Sequence, residues 1–169
     1  CKAVNEGIRA SRSPYVLLLN NDIEVTENFI EEMLSAIKRH PKAFSCAARM
    51  IQFHDRDRLD DAGNYYCALD GLMQEVRGKI SIPMKRKRRF LLPAQELLFT
   101  ERRSLMNWDI LTKNILHIWR TWTWGYRARI YGYENWYAPD AMVYHVGSGT
   151  SGSRYNQFKI RYSSRNNIY

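Results

Sequence analysis

An α/β fold is predicted by three features of the sequence. The aliphatic run Val16 to Leu19 stops abruptly at Asn20-Asn21-Asp22. Such a run reads as a short strand buried on both faces, as in a parallel sheet. Directly after it, Phe29, Ile30, Met33, Leu34 and Ile37 recur at helical spacing, and Pro41 follows as a stop. Strand-like runs then return at Trp136-Tyr137-Ala138 and at Ala141 to His145. Strands alternating with an amphipathic helix point to a layered α/β domain.

The elements follow in order. Lys2 to Ser11 carries Ala3, Ile8 and Ala10 on a partial apolar face and reads as a helix. Ser13-Pro14 breaks it, because the residue before a proline is pushed out of the helical region. Thr26 is the expected N-cap of the second helix, with Glu27 near its positive end. Phe44 to Phe53 has strand character, Asp60-Asp61-Ala62-Gly63 reads as a turn, and Tyr65 to Leu69 reads as another strand. Arg127 to Tyr131 continues a helix. The segment Gly147 to Gly152 is a flexible loop, and Tyr155 to Ile168 is expected to be a basic helix.

A chain of 169 residues can bury a core of its own. No run is long enough to span a membrane, and no signal peptide is recognisable. Cys1, Cys46 and Cys67 are scattered without metal-ligand spacing, which suggests a reducing compartment. The chain starts and stops in mid-pattern, so it reads as a single incomplete domain, 1–169. The net charge of +9 resembles a nucleic-acid signature until it is located. Residues 77–103 hold nine Lys and Arg against two Glu. The rest is close to balance, 17 basic against 15 acidic. No nucleic-acid fold accompanies the tract, so no nucleic acid is expected. The alternative function that the tract suggests is a non-catalytic basic module that binds anionic surfaces or nucleic acid through residues 77–103.

A carboxylate flanked by amides just past a strand's carboxyl end sits where open α/β sheets bind ligands. Asp22 offers hard oxygen suited to Mg²⁺ or Mn²⁺, and such an ion can hold a diphosphate. The same residues also suit a plain strand-to-helix turn. His145 ends a strand before a Gly/Ser loop, where it could be a metal ligand or a structural histidine. Arg161 and Arg165 lie four apart and could grip a diphosphate bidentately or simply face solvent. Asp60 and Asp61 could reach a ligand or only form the turn.

The segments AVNEGI (3–8), YVLLLNNDIEV (15–25), DDAG (60–63), GYRARIYGYENWY (125–137), YHVGSGTSG (144–152) and RYSSRNNIY (161–169) carry a resemblance. In this order they resemble the family 2 glycosyltransferases, specifically the bacterial rhamnosyltransferase-like group, over roughly two thirds of the chain. The resemblance implies a partial GT-A fold, an α/β sandwich with a Rossmann-like half. It implies transfer of a sugar from a nucleoside-diphosphate sugar to a saccharide or lipid-linked acceptor in bacterial surface polysaccharide synthesis. That would occur in the cytoplasm, with peripheral association at the inner face of the membrane. By family position, Asp22 and His145 would hold Mg²⁺ or Mn²⁺. Asn5, Asn20, Asn21, Asp22, Arg161 and Arg165 would bind the donor. The strands that hold the nucleotide base would precede Cys1.

The resemblance also leads one to expect an acidic motif just before GYRAR, as the source of a general base. The chain has Trp119-Arg120-Thr121-Trp122-Thr123-Trp124-Gly125 there, so no catalytic residue is assigned. The genetic code suggests a reason. Reading the third base of each codon with the first two of the next forces Glu at Met106-Asn107, Leu at Asn107-Trp108, Asp at Trp122-Thr123 and Gly at Trp124-Gly125. The shifted frame can spell FDELGYFDEKHFAYLEDLDLG over Ser104 to Gly125 and SPCAGAALYRKK within Phe90 to Arg103. Lys85 to Arg89 becomes a run of Glu. Residues 80–124 are therefore expected to be read one base out of frame, to be irregular or helical, and to leave the chain inactive in transfer.

Overall fold

The structure, a computed structural model, describes residues 2–67, 71–74, 89–90, 97–107, 120–147 and 157. In chain order the elements are α1 (Lys2–Ala10), β1 (Tyr15–Leu19), β2 (Ile23–Val25), α2 (Phe29–Lys38), β3 (Ala43–Gln52), β4 (Leu59–Asp61) and β5 (Asn64–Cys67). They continue with β6 (Gly71–Gln74), β7 (Arg89–Phe90), β8 (Leu97–Glu101), α3 (Arg102–Asn107), α4 (Arg120–Ile130) and β9 (Glu134–His145).

Among the described residues seven strands form one mixed sheet, with β1-β8-β3-β9-β2 as its spine, β4 beside β3 and β7 beside β9. β3 and β9 run parallel, and every other pairing in it is antiparallel. A separate hairpin joins β5 and β6. Side chains alternate across each strand and so feed two apolar layers. On one face Phe29, Met33 and Ile37 of α2 pack on Cys46, Met50, Leu97, Phe99 and Val143. On the other, Ile8 of α1, Leu105 of α3 and Trp124 and Ala128 of α4 pack on Val16, Phe44 and Leu98. Ala47, Ile51, Leu59 and Tyr137 form a third cluster. The α2 helix forms where the periodicity predicted it, because its apolar stripe has a sheet face to cover.

Several expectations are corrected. β1 is not part of a parallel, doubly buried run. It pairs antiparallel with β8, and Leu19 is exposed. Thr26 does not cap α2. Asn28 occupies the cap position without a side-chain bond, while the Thr26 hydroxyl donates to the Met142 carbonyl at 2.8 Å. Its backbone N–H is directed at the same oxygen, so the residue serves the sheet edge rather than the helix. Asp60 and Asp61 lie in β4, and the turn begins only after them. Gly63 there has φ of 101°, which favours glycine, and its N–H donates to Asp61 Oδ1 at 2.6 Å.

The two runs around Pro139 form one strand. The register against β3 jumps from Ala48↔Ala138 to Arg49↔Met142, so residues 139–141 form a bulge. Proline has no N–H to give a ladder, and a bulge needs none from it.

The tract 80–124, expected to be irregular or helical, supplies two strands, β7 and β8, as well as helix. Leu97 to Thr100 are all buried between β1 and β3. The Thr100 hydroxyl donates to the Phe44 carbonyl at 2.5 Å. Arg102 then ties α3 to α1 through its Nε to the Ile8 carbonyl, 3.2 Å, and to the start of β1 through its backbone N–H to the Pro14 carbonyl, 2.8 Å. The run Leu97-Leu98-Phe99 is apolar and strand-forming whatever its origin, and an open place between two strands selects it. No described helix is long and apolar enough to cross a membrane.

Candidate functional site

The site forms where β1, β3 and β9 end. β1 terminates at Leu19, and Asn20-Asn21-Asp22 turns the chain into β2. β2 pairs with the last residues of β9, Ile23 opposite His145. The Asp22 carbonyl accepts from the Val146 N–H at 3.0 Å. The His145 carbonyl accepts from the Phe53 N–H at 2.9 Å, just beyond β3. Main-chain bonds therefore fix both Asp22 and His145 before any side chain is considered. This is the carboxyl-end position at which open α/β sheets bind ligands.

The imidazole of His145 stands between two carboxylates. Its Nε2 lies 3.5 Å from Asp22 Oδ2. Its Nδ1 lies 2.5 Å from Asp60 Oδ2. Asp60 reaches it because β4 alternates. Leu59 turns into the cluster with Ile51 and Tyr137, so Asp60 is presented to the opposite side. His145 and Asp60 are both buried, and the side chain of Asp22 is 17% exposed.

Asp22 Oδ1 is buried and has no hydrogen-bond partner among the described residues. A shielded carboxylate oxygen without a donor is costly, so this atom suits a cation or a donor group brought by a ligand. Adjacent ligands on an octahedral ion with ~2.1 Å bonds stand roughly 3 Å apart. The 3.5 Å between Asp22 and His145 is close to that spacing. Two protein ligands also leave room for oxygens from a diphosphate, in the manner of Mg²⁺ sites. Among the described residues no group of three or more His, Cys, Asp or Glu surrounds a common point. The donor set therefore fits a metal shared with substrate better than a closed structural site.

Of the other residues singled out by sequence, Asn5 is buried on α1, on the same helical face as Ile8. Asn20 is half-buried and Asn21 exposed in the β1–β2 turn. Arg161 and Arg165 lie outside the described residues, as do the segment 148–152 and all but residue 157 of the expected terminal helix. No residue of α4 is acidic, so this helix provides no general base. Its Trp124 is buried in the core with its indole Nε1 unpartnered.

Sequence reasoning missed the bond between Asp60 and His145. The available signal was a carboxylate pair shortly before a glycine, which suits a ligand contact or a turn but does not point to a histidine 85 positions away.

The sequence model of the family described as Glycosyl transferase family 2 matches residues 1–114. No curated protein matches the chain. Among solved structures the chain is similar to GalNAc-T7 with UDP, GalNAc and Mn²⁺, at 12% identity and a TM-score of 0.67. The match covers 92% of this chain and 31% of that one, so the chain spans about a third of the neighbour's length. At that identity the likeness concerns the fold, which is GT-A. By its family match, the chain belongs to glycosyl transferase family 2.

Proposed function

We propose that this chain is the donor-binding part of a metal-dependent glycosyltransferase that takes a sugar from a nucleoside diphosphate and passes it to a saccharide or lipid-linked hydroxyl. The observation that carries this reading is the convergence of Asp22 and His145, with an unpartnered buried oxygen on Asp22. The family membership and the fold shared with a structure solved with UDP and Mn²⁺ support it.

Asp22 and His145 would hold the ion, Mg²⁺ or Mn²⁺. When bound, it would neutralise charge on the departing diphosphate. Asn20 and Asn21 lie on the turn that carries Asp22, where their amides can donate to phosphate or sugar oxygens. Arg161 and Arg165 would add guanidinium contacts to the diphosphate, and Asn5 would approach the donor from α1. Surface polysaccharide synthesis, a bacterial setting and peripheral attachment at the cytoplasmic face of the membrane rest on the sequence resemblance.

Transfer also needs a group to accept the proton of the attacking hydroxyl. The segment leading into Gly125 carries Trp and Thr where that carboxylate is expected. Loss of a general base costs about 10²–10⁴ in rate. This chain therefore binds donor and transfers poorly or not at all.

Calorimetric titration with UDP, with and without Mn²⁺, tests the reading. Binding that requires the ion and falls at least ~10-fold in Asp22→Ala and in His145→Ala supports it. Equal UDP affinity with and without the ion, in all three proteins, would overturn it.

A further inference from the structure

The geometry points to Asp60 as a positioning residue that fixes both the tautomer and the ring plane of His145, so that Nε2 is presented to the ion. This rests on the reading of Asp22 and His145 as metal ligands, and it adds a third residue to them.

An imidazole can ligate a metal through either nitrogen, and which one is free depends on what the other one bonds. Here the question is decided by placement. Nδ1 faces Asp60 Oδ2 at 2.5 Å, within hydrogen-bond reach, whereas Nε2 faces Asp22 at the longer 3.5 Å. A carboxylate has no N–H or O–H to give when ionised, so the proton in the short contact belongs to Nδ1. Nε2 then keeps its lone pair and faces the Asp22 carboxylate, whose Oδ2 is 3.5 Å away and whose Oδ1 has no partner among the described residues.

Asp60 is suited to hold rather than to bind. It sits on a strand whose register is fixed by the pairs Met50↔Asp61 and Ile51↔Leu59. The strand's other face is anchored by Leu59, which is fully buried. The next residue has a separate task, since Asp61 Oδ1 accepts from the Gly63 N–H and holds the turn. The two adjacent carboxylates thus divide into one that orients His145 and one that shapes the chain. A carboxylate behind a metal-ligating histidine also raises the basicity of the ring, and its loss typically costs 10–100-fold in metal affinity.

The test uses the full chain with ¹⁵N-labelled histidine. Long-range ¹⁵N–¹H spectra, recorded with and without Mg²⁺ at a pH where the ring is neutral, report which nitrogen carries the proton. The expected result is a proton on Nδ1 and none on Nε2. A proton on Nε2 under both conditions overturns the proposal, whether or not any variant folds. Mn²⁺ affinity is then measured by electron paramagnetic resonance for wild type, Asp60→Asn, Asp60→Glu and Asp61→Asn, with folding checked by circular dichroism. Asp60→Asn should bind ~10–100-fold more weakly. Asp60→Glu, which keeps a carboxylate, should recover part of the loss. Asp61→Asn should lower stability without moving the Mn²⁺ affinity. Unchanged affinity in a folded Asp60→Asn overturns the proposal. If wild type takes up no Mn²⁺, the metal reading fails by itself, while the tautomer still reports on Asp60.

Discussion

Ser45 and Asn135, 90 positions apart, share a buried hydrogen bond of 2.7 Å between the parallel strands β3 and β9. The Asn135 amide also donates to the Gly125 carbonyl at 3.4 Å, which ties α4 to the sheet. Removing the hydroxyl leaves a buried amide oxygen without this donor. Ser45→Ala should therefore cost about 1–3 kcal/mol, more than its lost area explains. Urea unfolding monitored by circular dichroism measures it. A change under a few tenths of a kcal/mol would show that the bond adds nothing.

Cys46 should be chemically silent in the folded protein. Burial pushes its thiol up to about 12 against an ordinary value of 9.0, with Arg39 pulling weakly the other way. The thiolate is the reactive species. At pH 8 peptide mapping should find Cys46 unmodified by iodoacetamide until denaturant is added. The linkage has a definite sign. Above about pH 9 the unfolded chain releases this proton and the folded chain retains it, so stability falls as pH rises from 9 to 12. Cys46→Ala should flatten that part of the stability profile.

Trp124 fills the core between α4, α1 and the sheet, yet its Nε1 has no partner among the described residues. Trp124→Phe removes the unpaired N–H along with some volume, and the two effects oppose each other. The expected change is within ~1 kcal/mol of wild type, against about 3–5 kcal/mol for Trp124→Ala. Thermal denaturation of both variants checks the contrast. A Phe variant as unstable as the Ala variant would mean that the indole is satisfied.

The reading frame makes the boldest prediction. Resequencing the gene across codons 75 to 130 should reveal a one-base insertion and a compensating deletion. A protein carrying the shifted reading across residues 80–124 should regain the acidic motif before Gly125. Its donor-sugar turnover should then exceed that of the present chain by about 10²-fold or more, the usual scale of a restored general base. Turnover no higher than that of the present chain would remove the frame as the cause.

What could be read from the sequence was local. The apolar run of β1, the stripe of α2 and the strand character of β3 each lie within a dozen residues, where periodicity is informative. Asp22 and His145 were legible as candidates because the first lies just past the end of one strand and the second ends another. Their meeting was not, since it depends on β2 pairing with β9. Asp60 was harder still, as its partner lies 85 positions away and its own neighbours spell a turn. Thr26 was misread because a sheet edge outbid a helix end for its hydroxyl. The strand at Leu97 was not legible because an apolar run of three residues is too short for periodicity to separate strand from helix. Both the residues present and the shifted AALY are apolar there, and either reading suits a place between β1 and β3.

β2 is only three residues long, and among the described residues it pairs with β9 alone. Asp22 sits at its root and His145 opposite its first residue. An ion gripped by both side chains would clamp this edge as a removable cross-link. The fold would then serve as its own reporter. At 100 times its dissociation constant the ion should add about 2.7 kcal/mol to stability. Melting temperature alone would rank Mg²⁺ against Mn²⁺, with no sugar and no acceptor in the tube.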